Sequence, residues 1–405
     1  MRAQQRSWRD LGIFGGKPLF DEPLHVNKPN AINRDRLISL IDPMLSRRWF
    51  SDGELVREFE REIARLAGAA HCVATCNGTL ALQIVLRTLG LSGEAIVPSF
   101  TFVATAQALR WLNLTPVYCD VSPETHTIDP KQVESLITPR TQAIVGVHLW
   151  GQPCDIEALQ AIADRHGLAL VFDAAHGLGS TYQGRPIGGF GVAEVFSFHA
   201  SKFVNTGEGG AITTNDERLA ARLRSERRFG FDSEEGLLDA GTNGKMAEIC
   251  AAVGLTYLEC FDQLIAANEA THRKYQAELA GVPGIAMLPL GMSGRNNHQY
   301  VVTLVDESRS GLTRDELMRV LEADNILAKR YFYPGCHRII PGRHGEAGQL
   351  PVTEKLAGSV LVLPGGASIS PSQVEGVCET LRLAVGNGEE IRQSLGSHAA
   401  CKAAQ

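Results

Sequence analysis

The sequence predicts an α/β fold: a large domain built on a mainly parallel sheet sandwiched by helices, plus a smaller C-terminal α/β domain. Three features of the 405-residue chain predict it. From about residue 51, stretches with apolar residues at helical spacing alternate with short apolar runs. Capping residues and glycines punctuate that alternation. After about residue 246 comes a long stretch without proline, and then a second mixture of strand-like and helix-like segments.

In chain order, Ser51-Asp52-Gly53 predicts the cap of a helix carrying Leu55, Phe59, Ile63 and Leu66 on one face and stopping near Gly68. His71–Thr75 reads as a strand and Thr79–Leu89 as a helix. Ala95–Val97, Pro116–Cys119, Ala143–Val147 and Leu168–Phe172 are further short apolar runs, with a helix capped by Asp155 over Asp155–His166. Met246 to about Ala280, with Gly254 as its one interior glycine, predicts a long helix leaving the sheet domain. His298–Val305 reads as a strand, Thr313-Arg-Asp-Glu316 as a capping box, and Ser370-Pro371-Ser372-Gln373 as a second cap with proline at the first helical position. The organisation expected is an N-terminal segment (1–30), a large domain (31–255), a small domain (256–387) and a polar, alanine-rich flexible tail (388–405).

Composition narrows the function. With 44% hydrophobic and 21% charged residues, the chain carries enough apolar mass for a large core. A formal charge of −6 with scattered Lys and Arg argues against a nucleic-acid partner. No apolar run approaches the roughly 18 residues of a membrane span, and the basic start lacks the apolar core of a signal peptide, so the expectation is cytoplasmic. Nine cysteines without paired spacing predict reduced, mostly buried thiols and no metal site.

Three places can carry chemistry. Lys202 follows a buried-looking run and precedes a glycine-rich turn; it is either a desolvated amine able to attack an aldehyde or a surface lysine in a hairpin. Asp173 ends the apolar run 170–172, where open α/β sheets keep their ligands, with His176 three residues on. It could hold the pyridinium nitrogen of pyridoxal phosphate (PLP) or merely cap the next helix. Thr75-Cys76-Asn77-Gly78-Thr79 joins a strand to a helix, a plausible phosphate cradle that is also a common structural joint. Ser197 offers the same phosphate a hydroxyl, and Phe102 is either a stacking aromatic or plain core.

The ordered blocks CNGTLAL (76–82), PSFTFVAT (98–105), VHLWGQPCD (147–155), FDAAHGLGS (172–180), FSFHASK (196–202), NTGEGGAI (205–212) and GTNGKM (241–246) resemble the DegT/StrS family of PLP-dependent sugar aminotransferases, of the aspartate-aminotransferase fold (fold type I). The resemblance runs from about residue 25 to 385. It implies a Schiff base on Lys202, Asp173 on the ring nitrogen, His176 near the phenolic oxygen and Phe102 stacked on the ring. Gly78, Thr79 and Ser197 would bind phosphate, and Asn243 would reach the partner's phosphate in a homodimer with shared active sites. It further implies a ping-pong transfer from an amino acid, glutamate, to a nucleotide-linked keto-sugar. The FSFHASK…EGGA form is similar to members that aminate a 4-keto-6-deoxyhexose, taken here on thymidine diphosphate. Members acting on 3-keto sugars carry a Pro-Gly-Lys-Asn run instead, and others take cyclitol ketones. Arg330 and His337, in RYFYPGCH, resemble the substrate loop, a structural loop being the alternative. Gly53-Glu54 and Gly191-Val192 depart from the family pattern outside the cofactor core. Against an inactive regulator or scaffold of the same fold stands the joint retention of Lys202, Asp173 and the phosphate turn.

Overall fold

The five- and seven-residue strands of the main sheet bury both faces, which is why they read as nearly unbroken apolar runs rather than alternating ones. The computed structural model describes residues 6–231, 236, 237, 240–344 and 349–403. The large domain runs α1 (Arg34–Arg47), α2 (Glu54–Ala67), β1 (His71–Thr75), α3 (Gly78–Thr88), β2 (Glu94–Pro98), α4 (Val103–Trp111), β3 (Thr115–Cys119), α5 (Pro130–Leu136), β4 (Thr141–Val147), α6 (Ile156–His166), β5 (Ala169–Asp173), β6 (Ala193–Ser197), β7 (Gly210–Thr214), α7 (Glu217–Arg227) and α8 (Glu248–Leu258). Then follow α9 (Phe261–Leu279), β8 (Ile285–Met287), β9 (Val301–Val305), α10 (Arg314–Ala323), β10 (Arg343–His344), α11 (Pro351–Ser359), β11 (Val360–Leu363), α12 (Pro371–Gly386) and α13 (Gly388–Ala403).

The main sheet has the order β10-β3-β2-β4-β5-β6-β7-β1. Its pairs are parallel except β7, which runs antiparallel to both β6 and β1. Alternate residues feed two cores: Ile96, Ile144, Leu170 and Phe172 pack with Phe59, Ile63 and Leu159 on one face. Val97, Val145, Val171 and Val195 pack with Leu82, Leu109 and Leu223 on the other. The expected α/β sandwich is thus present. A second, antiparallel sheet β8-β9-β11 packs under α9, α10 and α12.

Three local expectations need correction. The 246–280 stretch is two helices, α8 and α9, bent by 64°. The break at Glu259-Cys260 lets α8 pack on α1 and α2 while α9, whose Phe261 and Ile265 still feed the large domain's core, goes on to pack on α12. Ser51 and Asp52 do not cap α2; Gly53 is its N-cap, and the buried Glu248 carboxylate of α8 accepts from the N–H groups of Gly53 (2.9 Å), Val56 (2.9 Å) and Leu55 (3.1 Å). Residues 388–403 are not a loose tail but the helix α13, which buries Ile391 and Leu395 in the small domain's core. The N-terminal segment docks there too: Leu11 is fully buried, Arg6 pairs with Asp324 at 2.7 Å, and Leu24–His25 pairs in parallel with Ile326–Leu327. Helix α1, which the pattern did not reveal, carries Pro43 in its interior. Among the described residues no single helix is long and apolar enough to cross a membrane.

Candidate active site

The candidate residues gather at the C-terminal ends of the parallel strands, because each strand–helix joint leaves the sheet on that edge. Lys202 lies in the connection between the antiparallel pair β6 and β7, so it does sit in a hairpin. That hairpin is tied across itself, with Thr206 N–H and Phe198 C=O bonded at 2.9 Å and Phe198 N–H and Gly209 C=O at 2.8 Å. The lysine is turned inward, its Nζ 3.2 Å from the Tyr300 hydroxyl. Burial pulls the Lys202 amine down to about 8, against an opposing pull from Asp173.

Asp173, buried, ends β5. No helix follows it; residues 175–179 are turns, and the carboxylate accepts from Ala175 N–H at 3.1 Å at their start. Its other oxygen accepts from Thr105 Oγ1 at 2.7 Å. Burial raises the carboxyl's pKa, and these two bonds, with Lys202, pull the other way. Beneath it lies a second buried carboxylate. Glu194 accepts from Gly188 and Phe190 N–H at 2.8 and 2.7 Å and faces His148 Nε2 at 3.2 Å. His148 in turn gives its backbone N–H to the Asp173 carbonyl at 2.9 Å.

His176, in the turn after Asp173, has Nε2 at 2.8 Å from the same Tyr300 hydroxyl and Nδ1 at 3.3 Å from Trp150 N–H. Burial, and secondarily Lys202, holds this imidazole neutral, well below its usual range.

The phosphate turn is built by close approach. A Cβ on Gly210 would meet Asn77 C at 2.5 Å and Gly78 N at 2.6 Å, and one on Gly78 would meet Ser197 Cβ at 3.0 Å. Glycine at both positions lets the start of α3 lie over the paired ends of β1, β7 and β6. Asn77 caps α3, accepting from Leu80 N–H at 2.8 Å, and the first-turn N–H groups of Gly78 and Thr79 have no intrahelical acceptor. Thr79 is exposed there, Ser197 half-buried.

The DegT/DnrJ/EryC1/StrS aminotransferase family matches residues 32–382. The chain belongs to this family. It is 36% identical over 354 residues to the GDP-perosamine synthase of Caulobacter vibrioides, covering 86% of this chain and 94% of that one. It is 34% identical to the dTDP-4-amino-4,6-dideoxy-D-glucose transaminase of Shigella dysenteriae, covering 89% and 99%. A crystal structure of DesI in the presence of its TDP-sugar product superposes with a TM-score of 0.92 at 48% identity, over 96% of this chain and 99% of that chain. The chain is therefore a sugar aminotransferase of fold type I.

In this aminotransferase Phe102 is the N-cap of α4 and stands 56% exposed, one turn before Thr105, so it is a presented ring and not core. Asn243 does not join the Lys202 group; it is exposed and accepts from Lys245 Nζ. In the loop after Lys329, Tyr331 and Phe332 lie 5.9 and 5.5 Å from the Trp150 ring, walling the site with aromatics. Arg330 is half-exposed, its guanidinium 4.7 Å over the Tyr333 ring. His337 is occupied structurally: Nδ1 lies 2.6 Å from Ser99 Oγ and Nε2 3.4 Å from Glu354. It pins this loop to the β2–α4 joint that presents Phe102. Sequence reasoning missed Tyr300, Trp150 and Thr105. Tyr300 lay inside a strand expectation and Trp150 and Thr105 inside matched blocks, but nothing local marked their partners, which are 124, 26 and 68 residues away.

Proposed function

We propose that the chain transfers an amino group from L-glutamate to a nucleotide-linked keto-sugar, a dTDP-4-keto-6-deoxyhexose, in a ping-pong cycle on PLP. The observation that carries this reading is the inward Lys202 amine, depressed by burial, beside a buried carboxylate and a glycine-built turn that a Cβ would fill. These residues fit PLP. Lys202 would link to it and Asp173 hold its ring nitrogen. Gly78, Thr79 and Ser197 would hold its phosphate, with Phe102 against the ring and His176 near the phenolic oxygen. When bound, PLP supplies an electron sink and carries the amine between the two substrates.

The protein's own part is proton handling and exclusion of water. An amine near 8 is partly neutral at physiological pH, so Lys202 can take a proton from a substrate carbon and return one. Trp150, Tyr331 and Phe332 keep bulk water from competing for it. Supporting the acceptor class are the relatives named for GDP-, dTDP- and TDP-linked amino sugars. Arg330, half-exposed in the loop and paired with Asp315 at 3.5 Å, would meet a sugar or diphosphate by leaving that pair. The described cysteines are free thiols, in keeping with a cytoplasmic enzyme. The family resemblance supports a homodimer in which Asn243, exposed here, would serve the partner's phosphate. Asn243→Ala is then expected to lose PLP on dialysis faster than wild type; equal retention would remove that residue from the site.

The test is the visible spectrum. Absorbance of bound PLP should bleach on adding glutamate and return on adding dTDP-4-keto-6-deoxyglucose. Bleaching without return would move the acceptor to a 3-keto sugar or a cyclitol ketone, and a protein that never takes up PLP would defeat the reading.

A further inference from the structure

We propose that Tyr300 is a catalytic residue: its hydroxyl donates to the Lys202 amine and holds that amine in its neutral, proton-accepting form whenever it is free. The inference rests on Lys202 being the proton-transferring base of the proposed reaction.

The argument is one of hydrogen-bond direction along four groups in a row. Trp150 N–H approaches His176 Nδ1 at 3.3 Å, so that nitrogen presents a lone pair. The imidazole is neutral. We therefore assign its single proton to Nε2, from this geometry. Nε2–H then donates to the Tyr300 oxygen at 2.8 Å. Tyr300 is itself fully buried, and burial, with Tyr331 adjacent, holds its phenol protonated far above its usual range. The Asn27 side chain also bonds this hydroxyl and lowers its pKa, as a donor to the oxygen does, so the phenol hydrogen points elsewhere, and Lys202 Nζ lies 3.2 Å away. A neutral amine has a lone pair to accept it. An ammonium has only hydrogens, which would oppose the phenol hydrogen and leave it to seek another acceptor in a buried site.

The consequence for proton transfer follows. When Lys202 takes a proton, a substrate C–H bond breaks, its electron pair stays on the substrate–cofactor framework, and an N–H bond forms. The new ammonium donates to Tyr300 and disrupts the row, so the state is poised to give its proton on. The groups facing the amine are Asp173 from β5, His176 from the following turn and Tyr300 from the segment entering β9. Asp173 favours the charged amine; Tyr300, backed by His176 and a main-chain N–H that substitution cannot remove, favours the neutral one.

The experiment uses cofactor-free protein. Lys202 acetylation by acetic anhydride is followed from pH 6 to 11 by mass spectrometry, in wild type and in Tyr300→Phe. Wild type should show half-maximal reactivity near 8. Tyr300→Phe should move that midpoint up by ~0.5–1 pH unit, the size of one hydrogen bond expressed as a pKa. No shift, or a downward one, would overturn the proposal. A second measurement needs no variant. The nitrogen-15 spectrum of histidine-labelled wild type should show His176 neutral with its proton on Nε2, and a proton on Nδ1 would break the row. Wild type that fails to colour with PLP defeats the function proposed above. Wild type that colours, with a Lys202 profile indifferent to Tyr300, defeats only the role of Tyr300.

Discussion

Thr105→Val tests whether the buried Asp173 carboxylate is held charged by a neighbour and not by solvent. Valine keeps the β-branched shape of a residue that is 1% exposed, so the core is unchanged while one donor is lost. Thr105 Oγ1–H donates to Asp173 Oδ2 at 2.7 Å, and Thr105 Oγ1 can accept in turn from Thr101 Oγ1 at 3.0 Å. A hydrogen bond to a charged group contributes about 1.5–3 kcal/mol. Its loss should raise the Asp173 pKa beyond the rise that burial already causes. If Asp173 holds the PLP ring nitrogen as a carboxylate, PLP affinity should fall by roughly 10- to 100-fold. The cofactor-free protein should also lose stability, and the sign can be worked out. A carboxyl whose folded pKa is raised binds more protons folded than unfolded, so stability falls as pH rises through that window. The variant widens the window upward, so its deficit should be larger at pH 7 than at pH 4.5. Equilibrium dialysis gives the affinity, and urea unfolding at the two pH values gives the stability. PLP affinity unchanged alongside reduced stability would make the Thr105–Asp173 bond purely structural and refute its link to the cofactor.

Lys202→Ala should abolish multiple turnover while circular dichroism and melting remain near wild type; any sustained turnover refutes the assignment. Glu248→Ala removes a carboxylate that accepts three N–H groups at the start of α2 and leaves them buried, at a cost of about 3–5 kcal/mol in urea unfolding; a loss below about 1 kcal/mol would mean water replaces the cap. His272 and His298 lie with ring centroids 4.8 Å apart at the junction of α9 and the segment entering β9, and burial lowers both, His272 to about 4. Below 6.5 the unfolded state takes up protons that the folded state refuses, so stability is lost as pH falls from 6.5 towards 4. That loss is about 3 kcal/mol for His272, and His272→Gln should flatten the stability profile over that range.

Much of the fold was legible because its signals are local. The caps of Asp155, Thr313 and Ser370 lie within three residues of the N–H groups they satisfy, and each is found as expected. The β1 run His71–Thr75 matches to the residue, since an apolar run closed by a capping asparagine admits little else. Helix α1 was hidden by its internal Pro43 and its largely exposed surface. The bend between α8 and α9 was hidden because each half reads as helix, and the turn answers to the course α9 takes from the large domain's core into the small domain's. In the site, Lys202, Asp173 and the Gly78 turn were legible as residue types at the ends of strands, but the hairpin alternative for Lys202 was open because direction of burial has no local signature.

What the sequence determined by itself was the order of the elements, their two-sided burial and the chemistry presented on one edge of the sheet. Those follow from periods of 2 and 3.6 residues and from caps that act within one turn. What only the tertiary structure decided was which groups meet. Tyr300 reaches Lys202 across 98 residues, Thr105 reaches Asp173 across 68, and Glu248 caps α2 from 195 residues away. The physical reason is that a buried polar group must find a partner wherever the chain happens to bring one. Desolvation, which draws the Lys202 amine down towards neutrality, is likewise a property of the assembled surroundings and not of the residue.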